Sequence, residues 1–380
     1  MRGLAGFLAG LLLLLCCHDQ ADAEVHMRIG ARRELDRVNA RLCGQVVDHT
    51  FNHGIDRRIW SEALQCWRDM YVYLPPEFDP KQSYPVILYL HGLAQDEQFT
   101  LRNLAEGFDQ AIISGCIPPL IVASPDGSIC GYPAYRNSAS FFLNSPKAGK
   151  FEDYLLKDVW NYLMEHYPIR KEREAHVIAG VSMGGTAAYR IAIEHQPMFK
   201  IVIGIFPGLN LRWCHTIWGY RGNFNPHRWG WRTSYRPNEI IARFGIVPVP
   251  FKLLSDPLFY RDDVIDGLAR SNPYELMEMY DLKDGQLSMY VAYGGRDQFN
   301  IDAQVDSFLY RAHERGVSIK VGYDPKGKHD AETAMQFFPE VMAWLKPQLD
   351  PYSPALQKTH AAPWKAPHPV LQQIRKLLGR

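Results

Sequence analysis

The sequence predicts an α/β fold: a mostly parallel sheet with helices on both faces and an aromatic-rich insertion. Three observations predict it. Short apolar runs, most of them without strict alternation, recur along the chain, the pattern of strands covered on both faces. They are Met70 to Leu74, Val86 to Leu90, Leu120 to Ala123, His176 to Ala179, Ile201 to Ile205, Leu287 to Tyr293 and Ser318 to Tyr323. Helical patterns alternate with these runs, which is the order a parallel sheet requires. Finally, Gly180-Val181-Ser182-Met183-Gly184 places a hydroxyl side chain at a strand-to-helix junction, among glycines.

In chain order, residues 1–23 read as a signal peptide and not as fold. Arg2 precedes an apolar stretch from Leu4 to Cys17, and Ala21-Asp22-Ala23 supplies the small residues that suit signal peptidase. The mature chain is therefore expected to be secreted or periplasmic, beginning at Glu24. A lipid anchor on Cys16 or Cys17 is the rival, and the bulky Leu15 argues against it. Residues 24–60 read as an N-terminal extension and 61–350 as one catalytic domain. With 380 residues, 47% hydrophobic and 22% charged, the chain can bury a large core. A formal net charge of +1 without a basic run excludes a phosphate backbone as the partner, so no nucleic acid is expected.

Within the catalytic domain, Phe151, Leu155, Val159 and Leu163 recur every fourth residue and mark a helix over Phe151 to Tyr167. Further helices are expected after Gly184, from about Ala303 to Arg315, and from Ala331 to Leu345. Glu152 and Asp153 read as a solvated helix start. Residues 211–273 break the rhythm: they are rich in Trp, Tyr, Arg, Pro and Gly and read as an insertion over the sheet. Residues 351–380 read as a proline-rich tail ending in a short amphipathic segment, VLQQIRKLLGR. Docking onto the domain is its expected role, and membrane-surface contact is not expected. The five cysteines beyond the signal segment are odd in number and show no C-x-x-C spacing, and no H-E-x-x-H occurs, so neither a metal nor another cofactor is called for.

The serine sits where loops on a rigid sheet carry chemistry. GVSMG fits the G-x-S-x-G elbow, in which a strand turns sharply into a helix and exposes a strained serine at the tip. A structural turn would explain the glycines but not their arrangement. A hydroxyl needs a base, an orienting acid and an oxyanion site. Asp297 follows the strand ending at Gly294, inside GGRDQFN, and is favoured over Asp302, which suits a helix start. His329 follows SIKVGY and DPKGK and precedes the last long helix. His313 lies mid-helix, His195 at a helix end and His176 at a strand start, so none competes as base. Oxyanion donors are expected from the Met183 amide and the Leu93 amide, with Gly92 as the neighbour that could replace Leu93. His91 is expected to hydrogen-bond within that loop and not to act as a second base.

On RDMYVYLPPEFD, YPVILYLHGL, GKFEDYLLKDVWNYLMEHYPI, GVSMGG, GGRDQFN and GKHD, the chain resembles the esterase D, feruloyl esterase and antigen 85 mycolyltransferase group of α/β-hydrolases, over roughly Arg68 to Leu345. The resemblance implies the α/β-hydrolase fold and a Ser-Asp-His triad, carried here by Ser182, Asp297 and His329, that cleaves or transfers acyl groups. IFPGLN departs from the smaller residues common in that group, and the aromatic insertion departs from its short loops. The expected partner is a small-molecule or carbohydrate ester. Trp213, Trp218, Trp229 and Trp231 are the candidate substrate-stacking residues, with Arg212, Arg221 and Arg228 nearby, against the alternative that they pack the insertion onto the domain. Acyl transfer through the same triad, or a binding module that has lost its chemistry, are the alternatives to hydrolysis.

Overall fold

A computed structural model describes residues 34–134, 139–244 and 247–354. The expected signal peptide and amphipathic tail segment lie outside the described residues. Eight strands form the central sheet: β1 (Gln45–His49), β2 (Met70–Leu74), β3 (Val86–Leu90), β4 (Ile121–Pro125), β5 (His176–Val181), β6 (Ile201–Ile205), β7 (Ser288–Gly294) and β8 (Lys320–Asp324). Their spatial order is β1-β2-β4-β3-β5-β6-β7-β8. β1 and β2 pair antiparallel, as do β2 and β4, and every other neighbouring pair is parallel. β2 and β4 are buried along their whole length, and β3 and β5 nearly so. This is why their sequences run apolar instead of alternating.

The sheet takes in seven strands close to their expected bounds and adds one. β1 lies in the segment read as an extension, so the domain begins earlier than 61. Asp48 hides this strand in the sequence: it points inward on the same face as Val46, and its carboxylate accepts bonds from the Thr50 amide and hydroxyl and from Arg57.

The main helices are α1 (Ala105–Ile113), α2 (consecutive turns Phe151–Asp153, Tyr154–Val159 and Trp160–His166), α3 (Met183–Glu194), α4 (Val264–Arg270), α5 (Pro273–Met279), α6 (Ile301–Glu314) and α7 (Ala331–Leu349). α1 was not expected, because Gly107 interrupts its pattern. In the fold that glycine lies against the Phe338 ring, 3.3 Å from where a Cβ would stand. Phe151, Leu155, Val159 and Leu163 form the buried face of α2, as their spacing predicts. α7 runs four residues past its expected end, with Asp330 capping its start through the Thr333 amide at 2.9 Å.

The insertion folds as two small antiparallel pairs, Trp213–His215 with Trp229–Trp231 and Ile240–Phe244 with Val247–Pro250, followed by α4. Trp213, Tyr220, Ile241, Phe251, Leu258 and Phe259 belong to a hydrophobic cluster of its own, apart from the main core around the sheet.

Glu152 is not a solvated helix start. Its carboxylate accepts from the buried Arg190 of α3 and lies 2.9 Å from His195 Nε2. Arg190 also bonds Glu194 at 2.6 Å and the Phe142 carbonyl at 2.8 Å, so this cluster bolts α2 to α3. Burial alone would push the Glu152 carboxyl up, but His195 and Arg190 hold it down at about 2, below its ordinary 4.5. A depressed carboxyl stabilises the fold above its unfolded value and stops doing so as the pH falls through its folded value. Glu152→Gln should therefore cost about 1–3 kcal/mol in urea denaturation at neutral pH. The deficit should shrink as the pH falls from 4.5 towards 2, and an equal deficit throughout would show that the carboxylate charge plays no part.

Candidate active site

Ser182 stands between β5 and α3 with φ +54° and ψ −116°, a conformation that is strained for any residue but glycine. Three glycines make the turn possible. A Cβ on Gly180 would lie 2.4 Å from the Gly184 carbonyl carbon, and one on Gly184 would lie 2.0 Å from the Leu90 oxygen at the end of β3. A Cβ on Gly185 would lie 3.0 Å from the Gly180 oxygen. The Ser182 amide donates to Ile205 O at 2.8 Å, which ties the turn to β6.

Three side chains from three loops meet here. Ser182 Oγ lies 2.8 Å from His329 Nε2, and His329 Nδ1 lies 2.7 Å from Asp297 Oδ2. The Asp297 side chain is fully shielded and the imidazole is 12% exposed. The second oxygen of Asp297 accepts from the Phe299 amide at 2.8 Å, and the His329 amide donates to Gln298 Oε1 at 2.8 Å. Phe206 and Phe299 flank the imidazole, with ring centroids at 5.0 and 4.9 Å. With Nδ1–H donated to the carboxylate, Nε2 is left to accept the serine proton. Asp302 stands away from this chain of bonds. Burial pushes its carboxyl up to about 6, and its Oδ1 has no partner.

Met183 opens α3 directly after the serine, so its amide lies at the helix start, where the dipole favours negative charge. On the other side the Gly92 amide is already engaged by Gln95 Oε1 at 2.8 Å, which favours Leu93 over Gly92 as the second donor. Leu93 and Met183 both line the cavity at Ser182. His91 bonds the Gly92 carbonyl through Nδ1 at 2.9 Å and accepts from the Gly127 amide through Nε2 at 2.8 Å. Both nitrogens are thus spent on structure, which leaves none for base chemistry.

Behind Ser182 opens a cavity of about 1010 Å³, counted out to its mouth. None of the four candidate tryptophans lines it, which corrects their assignment to substrate. Trp213 is fully buried and stacks on Trp229 at 5.9 Å, and Trp229 meets Trp231 edge-on at 5.0 Å. Trp218 is 72% exposed at a loop tip. The neighbouring arginines are placed elsewhere too: Arg212 pairs with Glu275 at 2.7 Å and lies over the Trp231 ring. The walls are instead supplied by residues that pattern alone did not single out, among them Phe141, Phe206, Ile241, Leu254 and Phe299. Of these only Phe206, as part of IFPGLN, and Phe299, as part of GGRDQFN, lay in a quoted motif.

The cluster Glu152, Glu194 and His195 offers ligand atoms within 4.8 Å of one another, but the Arg190 guanidinium already fills it with positive charge.

Residues 61–244 match a family model described as "Putative esterase". Among solved structures, a ferulic acid esterase superposes with a TM-score of 0.59 at 17% identity, over 81% of this chain and 100% of its own. An S-formylglutathione hydrolase from Agrobacterium tumefaciens gives 0.55 at 16% identity, over 81% and 96%. A fluorophosphonate-binding serine hydrolase of Staphylococcus aureus gives 0.54 at 16% identity, over 80% and 98%. The fold is that of the α/β-hydrolases.

Because Asp297 and not Asp302 bonds the imidazole, Asp297→Asn should lower kcat by roughly 10³ to 10⁴-fold, as expected when the wrong tautomer is stabilised. Asp302→Asn should change kcat by less than about tenfold. The reverse order of effects in steady-state ester hydrolysis would reassign the acid.

Proposed function

We propose that this chain is a serine carboxylic ester hydrolase that works after export, by two-step acyl transfer through Ser182, His329 and Asp297; the match of residues 61–244 to the esterase family model supports the ester-hydrolase reading. The observation that carries the reading is the unbroken line of short hydrogen bonds from the Ser182 hydroxyl to His329 and on to Asp297, at 2.8 and 2.7 Å. Export rests on the signal-like segment of residues 1–23.

Ser182 Oγ attacks the ester carbonyl carbon while its proton passes to His329 Nε2. The Asp297 carboxylate stabilises the imidazolium so formed. Negative charge gathers on the former carbonyl oxygen, where the Met183 and Leu93 amides receive it; each such donor is worth about 3–4 kcal/mol in the transition state. Collapse of the tetrahedral species breaks the bond to the alcohol, which departs with the proton from His329. A water molecule, deprotonated by the same nitrogen, then attacks the acyl-serine and releases the acid.

Ser182→Ala should lower kcat for p-nitrophenyl butyrate by about 10⁴-fold or more while leaving the far-UV circular dichroism unchanged. Wild-type protein should be labelled by a fluorophosphonate probe and the variant should not. Retained turnover or labelling in the variant would overturn the assignment of the nucleophile.

A further inference from the structure

We propose that the cavity behind Ser182 is an acyl-chain pocket, and that the best substrates carry an unbranched aliphatic acyl group of medium length. The proposal deepens the ester-hydrolase reading and rests on it. The cavity lies along the seam between the molecule's two hydrophobic clusters. One wall comes from the hydrolase core through Leu93, Phe141 and Phe206, and the facing wall comes from the insertion through Ile241, Leu254 and Leu258. Protein interiors are close-packed, so an apolar-lined space beside the nucleophile forfeits dispersion contacts that a ligand can restore. Such spaces are characteristic of ligand sites.

The polar groups along the walls set the chemistry. Arg190 is held by Glu152, Glu194 and the Phe142 carbonyl. Arg232 is held by Glu239, and Gln304 donates to the Tyr220 hydroxyl, which itself donates to the Phe299 carbonyl. Ser255 and Ser271 bond backbone carbonyls within their own turns. Arg190 Nε, Arg232 Nε and Gln304 Oε1 lack partners, but these atoms are sealed from contact. Most of these groups are thus already engaged, so the walls offer a polar acyl group few partners, whereas an alkyl chain loses no hydrogen bond on entering. Ser182 itself lines this apolar space, which suits the part of the ester that stays on the serine while the alcohol departs.

The test compares kcat/KM for p-nitrophenyl acetate, butyrate and octanoate and for methyl ferulate, in wild type and in Leu254→Trp, with octyl acetate as the long-alcohol control. Octanoate should exceed acetate by about a hundredfold, which a few buried methylenes suffice to provide. Leu254 is only half-buried, so the larger ring should be tolerated, and the octanoate-to-acetate ratio should fall about tenfold or more. If Leu254→Trp fails to fold, Leu254→Gln should reduce the same ratio by polarity. Calorimetry of methyl octanoate with Ser182→Ala reads the pocket without the chemistry, and binding is expected. Preference for acetate, methyl ferulate or octyl acetate, or a ratio unmoved by both Leu254 variants, would overturn the pocket and leave the esterase standing. Binding to Ser182→Ala with no turnover of any ester by wild type would uphold the pocket and overturn the esterase reading.

Discussion

The site depends on how closely α3 approaches the end of β3. At Gly184 the backbone comes so near Leu90 and His91 that any Cβ would sit inside the Leu90 carbonyl. This contact lets the helix begin directly against the strand end, and it leaves Ser182 no relaxed way to join β5 to α3. The positive φ of Ser182 is the result. Strain of that kind costs of order 1–3 kcal/mol and persists only where the surroundings over-determine it. Here they do, since β5 is paired in parallel on both sides, with β3 and with β6, along its buried length. The same approach brings the first amide of α3 beside the loop that follows β3, so the nucleophile and both candidate oxyanion donors share one origin.

That loop needs its own support, and a buried ion pair supplies it. Arg68, just before β2, bonds the Asp126 carboxylate at 2.6 Å and the Ser128 carbonyl at 2.6 Å. This fixes the turn after β4, whose Gly127 amide donates to His91. Burial alone would push the Asp126 carboxyl up, but Arg68 and His91 hold it below the ordinary carboxylate range. Nearby Asp69, Asp96 and Glu97 are shifted the other way, above their ordinary range, chiefly by burial. One guanidinium thus keeps one carboxylate charged, while the neighbouring acids favour their neutral forms. A charged pair in such surroundings is worth less as stability than as orientation, and what it orients is the loop carrying Leu93.

The sequence was legible wherever local pattern and local structure have the same cause. Strands buried on both faces must be apolar throughout, so β2 to β7 could be read directly. The serine turn could be read because only glycine tolerates its close contacts, and Asp297 and His329 because each follows a strand end of the sheet. Pattern failed where the cause was distant. β1 is an edge strand whose inward Asp48 is satisfied by Thr50 and Arg57, and nothing in QVVDH announces those partners. The tryptophans of the insertion have the composition of a stacking surface, yet composition does not say which way a ring faces. Trp213 turned inward to build a core, and the cavity was left to aliphatic and phenyl side chains that look ordinary in sequence.

The insertion also reaches the chemistry more directly than by walling a cavity. Asn300 adopts a left-handed conformation at φ +54° and donates to the Tyr220 carbonyl at 2.7 Å and the Gly222 carbonyl at 3.2 Å. Tyr220, in return, donates its hydroxyl to the Phe299 carbonyl. Phe299 is the residue whose amide bonds Asp297 and whose ring lies against His329. The strand-to-helix loop that carries the acid is therefore stitched to the insertion at Phe299 and Asn300. A catalytic carboxylate must be held within about half an ångström to orient its imidazole, and here part of that restraint comes from the element that also shapes the cavity. Specificity and orientation consequently share a scaffold: a change that reshapes the insertion around Tyr220 alters both what fits behind Ser182 and how firmly His329 is aimed at it.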